Sequence, residues 1–251
     1  MRPSVLVVAH PGHEARIFGW YERMRPYLFL LTKGDRNDNS ARLEFAKELA
    51  DRTGAIAGSL FGCYSDREIY NAILERDPTL FASWTMRLTE ALVALDPSLV
   101  VTDSWQLYNV SHDLVHVMTR VATGRAAVRL GHTIDVLDFP VVPDALAAAL
   151  PTGREVFRIE LDNTALARKT SISKEYPGLN EEVSAVLAVE GSEVQQIEIF
   201  RAPVRFDMLS PSPNTVPPYE RYGQERVAAG VYKECIRWNH VHPIVDALQK
   251  P

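Results

Sequence analysis

Ser4–Glu14 reads SVLVVAHPGHE. Ser4–Ala9 is an unbroken apolar, β-branched run, which suits a strand buried on both faces. It stops at His10-Pro11, and Glu14–Tyr21 then reads as a helix. A buried strand that turns at once into a helix is the opening unit of a parallel α/β sheet. Further strands are expected at Tyr27–Leu31, Ala55–Phe61 and Ser98–Thr102. Helices are expected at Ser40–Arg52, from an Asp66 cap to Leu74, at Ser83–Ala94 and at His112–Ala127. This alternation predicts a Rossmann-like α/β fold: a mostly parallel, doubly wound sheet with helices on both faces.

The last third changes character and is read as an elaborated C-terminal region. Glu155–Leu161 alternates as an edge or antiparallel strand would, and Gln195–Phe200 reads as another strand. Asn180–Val189 reads as a short helix. Pro203–Pro218 is rich in Pro and Ser and is expected to wrap the surface. Tyr219–Gln249 returns to helix, with Gly230 as a break. The expectation is one domain over residues 1–251, with 203–251 as a C-terminal extension.

The chain has 251 residues, 46% of them hydrophobic, enough to build a core without disulfides. Its net charge of −5 argues against nucleic acid and anionic membrane as partners and leaves a small-molecule substrate. Cys63 and Cys235 lie far apart and form no metal or disulfide framework, which fits a reducing cytoplasmic setting. Neither a signal segment nor a spanning run is expected. Homo-oligomerisation stays open.

Two loops carry the candidate chemistry. Ligands of doubly wound sheets sit beyond the carboxyl ends of the strands. His10 and His13 fall there after the first strand, and His112 falls near the helix start that follows Ser98–Thr102. Three imidazoles with a fourth position open is the donor pattern of a catalytic zinc, though other divalent transition metals suit the same donors. His116, one turn beyond His112, is read as a ligand, a group behind the ligands or a packed histidine. Trp105 and Tyr108 are candidates for a substrate wall. Ser111 is read as a helix cap with Asp113 in the first turn. Asp35, Asp38 and Asn39 read as a solvated loop, Lys169–Lys174 as charged surface, and His240 and His242 as structural or exposed.

On these residues the chain resembles the PIG-L/LmbE-like family of zinc-dependent N-acetylglucosaminyl deacetylases. The family's A-H-P-D-D-E motif is similar to Ala9-His10-Pro11-Gly12-His13-Glu14, and its H-x-D-H motif, in shortened form, to Ser111-His112-Asp113. Leu31-Thr32-Lys33-Gly34, Arg42, Glu44 and Ile197–Arg201 extend the likeness, which spans roughly Val5 to Arg201; Tyr219–Ala229 has no counterpart in the pattern. The resemblance implies zinc on His10, His13 and His112. It also exposes two departures. His13 replaces a family Asp, and Gly12 stands where the family keeps its general base. Glu14, Asp113 and Asp103 are the candidate replacements, with Asp103 alternatively orienting His10 or His112. His116 or a carboxylate would protonate a leaving amine.

Three functions remain. One is a metal-dependent hydrolase acting on the amide of a small N-acyl compound. Another uses the same ion as a Lewis acid for cyclisation, elimination or rearrangement. The third is a non-catalytic module that binds a metabolite or a protein partner.

Overall fold

The computed structural model describes residues 2–34, 40–144, 146–148, 150–179, 195–211 and 215–250. Strand β1, Ser4–Val8, is buried along its length. Val5 and Val7 join one core cluster while Leu6 and Val8 join another, because successive side chains of a strand point to opposite faces. The apolar run is therefore explained by two covered faces rather than one.

β1 pairs in parallel with β2 (Tyr27–Thr32) on one side and β4 (Leu99–Asp103) on the other. β3 (Ile56–Tyr64) extends the sheet beyond β2, and β5 (Asp135–Phe139) beyond β4, both in parallel. β7 (Ile197–Arg201) runs antiparallel to β5, and β6 (Glu155–Glu160) antiparallel to β7. The strand order is β3-β2-β1-β4-β5-β7-β6, a mostly parallel sheet as the alternation predicts. The order reverses between β1 and β4, and this crevice is where an open α/β sheet takes its ligand.

Helices cover both faces. α1 (Phe18–Met24) and α2 (Ala41–Thr53) bury Trp20, Tyr21, Ala46 and Leu49 against one. α3 (Asp66–Leu74), α4 (Thr79–Leu95) and α5 (Val110–Leu130) bury Ile69, Trp84, Leu88, Leu114 and Met118 against the other. α6 spans Asn163–Glu175, α7 Pro218–Ala228 and α8 Trp238–Gln249. Val241, Ile244, Val245 and Leu248 of α8 belong to the same cluster as Val5 and Val7. No helix among the described residues is long and apolar enough to cross a membrane.

Several expectations are corrected. The helix foreseen from Glu14 is a 3-10 turn, His13–Ile17, followed by α1. Ser65 caps α3, its side chain and that of Glu68 forming a capping box; Asp66 is the first helical residue. Asn109, not Ser111, caps α5 by accepting from the Ser111 N–H. β5 was not foreseen, because Asp135 and Asp138 interrupt its apolar pattern. Neither was α6, whose Lys169 is buried rather than part of a charged surface. The C-terminal helix is divided into α7 and α8, and Gly230, with φ of 70°, falls just past the end of α7. His240 is buried and its Nδ1 accepts from the Arg237 N–H; His242 faces Asp246 at 3.4 Å. Asn180–Val189, Asp35, Asp38 and Asn39 lie outside the described residues.

Candidate metal centre

The β1 and β4 loops bring His10, His13 and His112 together. Ring centres are 5.4 Å apart for His10–His13, 5.2 Å for His10–His112 and 4.4 Å for His13–His112. An ion held tetrahedrally by imidazole nitrogens at roughly 2.0–2.1 Å sets ring centres about 5 Å apart. As the side chains stand, no group of three or more His, Cys, Asp or Glu among the described residues is arranged to hold a metal ion. The ring spacing thus fits a ligand set, while the donor atoms do not yet form one.

Each loop histidine is held from behind. His13 Nδ1 lies 2.9 Å and 3.0 Å from the two carboxylate oxygens of Asp103, and Asp103 Oδ2 also accepts from the Ala9 N–H at 2.9 Å. Asp103 therefore orients His13, not His10 or His112. His10 Nδ1 lies 2.7 Å from Thr32 Oγ1 and 3.3 Å from Asp66 Oδ1. Carboxylates at Nδ1 favour the Nδ1–H tautomer and leave Nε2 with its lone pair outward. His112 sits in the first turn of α5, where burial first, then the nearby His13 and His10, pushes its imidazole well below the ordinary range. It is neutral at pH 7, the form that binds metals. Three imidazole donors with carboxylates behind two of them fit zinc or a similar divalent ion.

Of the candidate bases, Glu14 and Asp103 are engaged through both oxygens, whereas Asp113 Oδ2 accepts no hydrogen bond among the described residues. Glu14 is fully buried; its Oε2 accepts from the Gly12 N–H at 2.9 Å and its Oε1 from the Tyr176 hydroxyl at 2.7 Å. Burial pushes its carboxyl above the usual value even though these bonds oppose the shift. Glu14 is a strut that ties the histidine loop to the residue after α6. Asp113 Oδ1 accepts from the Gln106 and Leu107 N–H groups at 2.9 Å and 3.1 Å, bracing the loop after β4.

Burial pushes the Asp113 carboxyl up to about 7. In the unfolded chain this group ionises near 3.8, so between the two values only the folded state keeps its proton. Stability held by that proton is present at low pH and is lost as pH rises from about 4 to about 7. Asp113→Asn keeps the acceptor but does not titrate. In chelator-treated protein, the variant should gain on the order of 2 kcal/mol relative to wild type between about pH 4 and pH 8. Urea unfolding at both pH values reads this; a constant difference between the two proteins refutes it.

Gly12 adopts φ of 111°, and a Cβ there would stand 2.9 Å from Leu179 Cδ1. The loop is built for glycine, so an Asp at this position meets backbone strain. Gly12→Asp is expected to destabilise the fold by about 1–3 kcal/mol. An unchanged urea midpoint would show that the loop adapts.

The remaining expected residues divide. His116 is fully buried, with Nδ1 2.9 Å from the Asp103 carbonyl oxygen and Nε2 3.2 Å from Arg120 Nη1. Burial, then the Arg120 charge, pushes it down to about 3, so it is a neutral brace behind the site and takes no part in the three-ring cluster. Trp105 is buried between His116 and Trp238, whereas Tyr108 is exposed. Sequence reading missed Thr32 and Asp66 as partners of His10. Burial alone would raise the Asp66 carboxyl, but its hydrogen bond and attraction to His10 hold it below the usual value. The available signal was its position at the carboxyl edge of β3, which the cap assignment hid.

No protein-family model matches the chain, and no curated protein matches its sequence. Solved structures do. The conserved protein TT1542 from Thermus thermophilus aligns with a TM-score of 0.53 at 15% identity, covering 86% of this chain and 99% of that one. The A40926 pseudoaglycone deacetylase Dbv21 gives 0.48 at 19% identity, covering 82% and 100%. GalB, the 4-carboxy-2-hydroxymuconate hydratase from Pseudomonas putida, gives 0.48 at 16% identity, covering 85% and 99%. At such identities a likeness speaks for the fold alone, and the match to TT1542 establishes that this chain shares its α/β architecture.

Proposed function

We propose that the chain is a metal-dependent hydrolase, zinc being the foremost ion, that cleaves the amide of a small N-acyl compound. The observation that carries this reading is the meeting of His10, His13 and His112 at the β1/β4 crevice, with Asp103 and Asp66 behind two of the rings. The similarity of Ala9–Glu14 to the deacetylase motif supports it. The ring-centre spacings of 4.4–5.4 Å suit three imidazoles on one ion. A bound ion supplies Lewis-acid polarisation of a carbonyl and acidifies a water to a pKa of about 7. The protein's part is positional. Asp103 fixes the His13 tautomer and ring orientation, Thr32 fixes His10, and Glu14 holds the Gly12 turn that sets the spacing between them. Tyr108, exposed on the loop after β4, is the candidate aromatic contact for substrate.

A second reading is favoured by one observation: Glu14 and Asp103 are engaged through both oxygens, and Asp113 braces a loop through Oδ1. A site whose carboxylates are so engaged in bracing suits Lewis-acid chemistry that needs no attacking water. Elemental analysis, then turnover of a panel of N-acetyl amino sugars and simpler acetamides by the metal-loaded protein, separates the two. About one equivalent of metal with chelator-sensitive amide cleavage supports hydrolysis. Bound metal with no cleavage supports the second reading. Protein that binds no metal overturns both.

A further inference from the structure

β6 closes one side of the sheet, and no strand among the described residues lies beyond it. An edge strand leaves a row of backbone groups unpaired. The opposite edge, β3, is broken by two register shifts, whereas Phe157–Glu160 of β6 pairs with β7 without interruption. The Leu161 N–H donates to the Gln196 carbonyl at the entry to β7. In an antiparallel ladder, alternate residues turn both backbone groups toward the same neighbour. Phe157 and Ile159 therefore face β7, and Arg158 and Glu160 turn their N–H and C=O groups outward. α6, which follows β6, leaves this edge open. It turns back over the sheet, where Lys169 reaches Glu198 and Arg168 reaches Glu22.

A row of like charges would blunt such an edge, but here the signs alternate. Arg158 and Glu160 are both exposed and share the face opposite Phe157 and Ile159. Arg158 holds Glu155 through Nε and Nη2, each at 2.7 Å, and its Nη1 makes no hydrogen bond among the described residues. The Glu160 carboxylate makes none either. A second copy running the opposite way matches this pattern. With Ile159 set opposite the partner's Ile159, Arg158 falls opposite the partner's Glu160, and Glu160 opposite the partner's Arg158. These are the residues whose backbone groups point outward, so each such pair can exchange both N–H···O bonds. A two-fold axis normal to the sheet keeps like faces together, as an isologous contact requires. The neighbouring registers fail: one sets Arg158 opposite the partner's Arg158, the other Glu160 opposite the partner's Glu160, and like charges directly opposite are destabilising.

We propose that two copies of this chain join edge to edge, β6 antiparallel to β6, with Ile159 on the dyad and reciprocal Arg158–Glu160 pairs on either side of it. An unrelated strand would have to carry the same order of signs, whereas a second copy always does. The contact is small, so a dissociation constant of roughly 10–100 µM is expected. The edge lies two strands beyond β5, apart from the three imidazoles, and the proposal does not rest on the metal reading.

Sedimentation velocity on the full chain, from about 1 to about 300 µM, tests this. Wild-type protein should pass from monomer to dimer across that range. Arg158→Glu and Glu160→Arg each set like charges across the dyad and should weaken dimerisation by about tenfold or more. An equimolar mixture of the two variants should dimerise again, because every cross-strand pair is then of opposite sign. Wild-type protein that stays monomeric overturns the proposal. So does a dimer that both variants leave intact, or a mixture that associates no better than its components. Should either charge variant lose its fold, Glu160→Pro carries the test: it removes an outward N–H and no bond to β7, and should abolish the dimer. A dimer that survives Glu160→Pro overturns the proposal as well.

Discussion

His13→Ala is expected to reduce the metal content of the purified protein to a small fraction of that of wild type, with affinity lower by more than about 100-fold. The argument is one of number and charge. Removing one of three imidazoles leaves His10 and His112, a pair no better than two histidines meeting anywhere on a surface. It also leaves the Asp103 carboxylate buried, with only the Ala9 N–H of its present partners. Asp103→Asn provides the graded comparison. It keeps an acceptor for His13 Nδ1–H but loses the carboxylate charge behind the ring, and should weaken metal binding by about 10–100-fold. Inductively coupled plasma analysis and competition with a chromophoric chelator read both variants. Wild-type metal content in His13→Ala would remove His13 from the site.

The largest expected loss of stability lies elsewhere, at Glu198. Its carboxylate is fully enclosed: Oε1 accepts from the Gly19 N–H and the Lys169 ammonium, each at 2.9 Å, and Oε2 accepts from the Trp20 N–H at 2.9 Å. One side chain thus satisfies two orphan amides at the start of α1 and neutralises a buried lysine from α6. Burial pulls the Lys169 ammonium below its usual value, against the attraction of Glu198. Glu198→Ala leaves that cation buried without a counter-charge, and should cost about 3–5 kcal/mol. Urea unfolding measures it. Lys169→Met in the Glu198→Ala background should recover part of the loss, because the uncompensated charge is then gone. A loss below about 1 kcal/mol would mean that water or rearrangement takes over the carboxylate's role.

Glu198 also shows where sequence reading stops. Ile197–Arg201 is legible as a strand, and Lys169 as one charged residue among several. Nothing in either segment says that they meet, since 29 positions separate them and the pairing depends on β7 lying beyond β5. Asp138 is a comparable case. Its charge hid a buried strand, because a carboxylate in an apolar run reads as an interruption until the Ser104 hydroxyl that donates to it comes into view.

The sequence by itself determined the parallel core and the address of the candidate site. Apolar runs such as Ser4–Ala9 have one economical solution, burial on both faces. A histidine that directly follows such a strand must lie at its carboxyl edge. These are local properties, fixed by period and chain order. Only the tertiary structure decided which groups are free to act. It turned Asp103 toward His13 and took up both oxygens of Glu14 in holding the Gly12 turn. It committed an Asp113 oxygen to a loop, sealed His116 behind the site and set Asp66 at His10. A carboxylate's role depends on which donors and how much water surround it. Those neighbours come from the loops after β1 and β4 and from Tyr176 after α6, parts of the chain brought together only by folding.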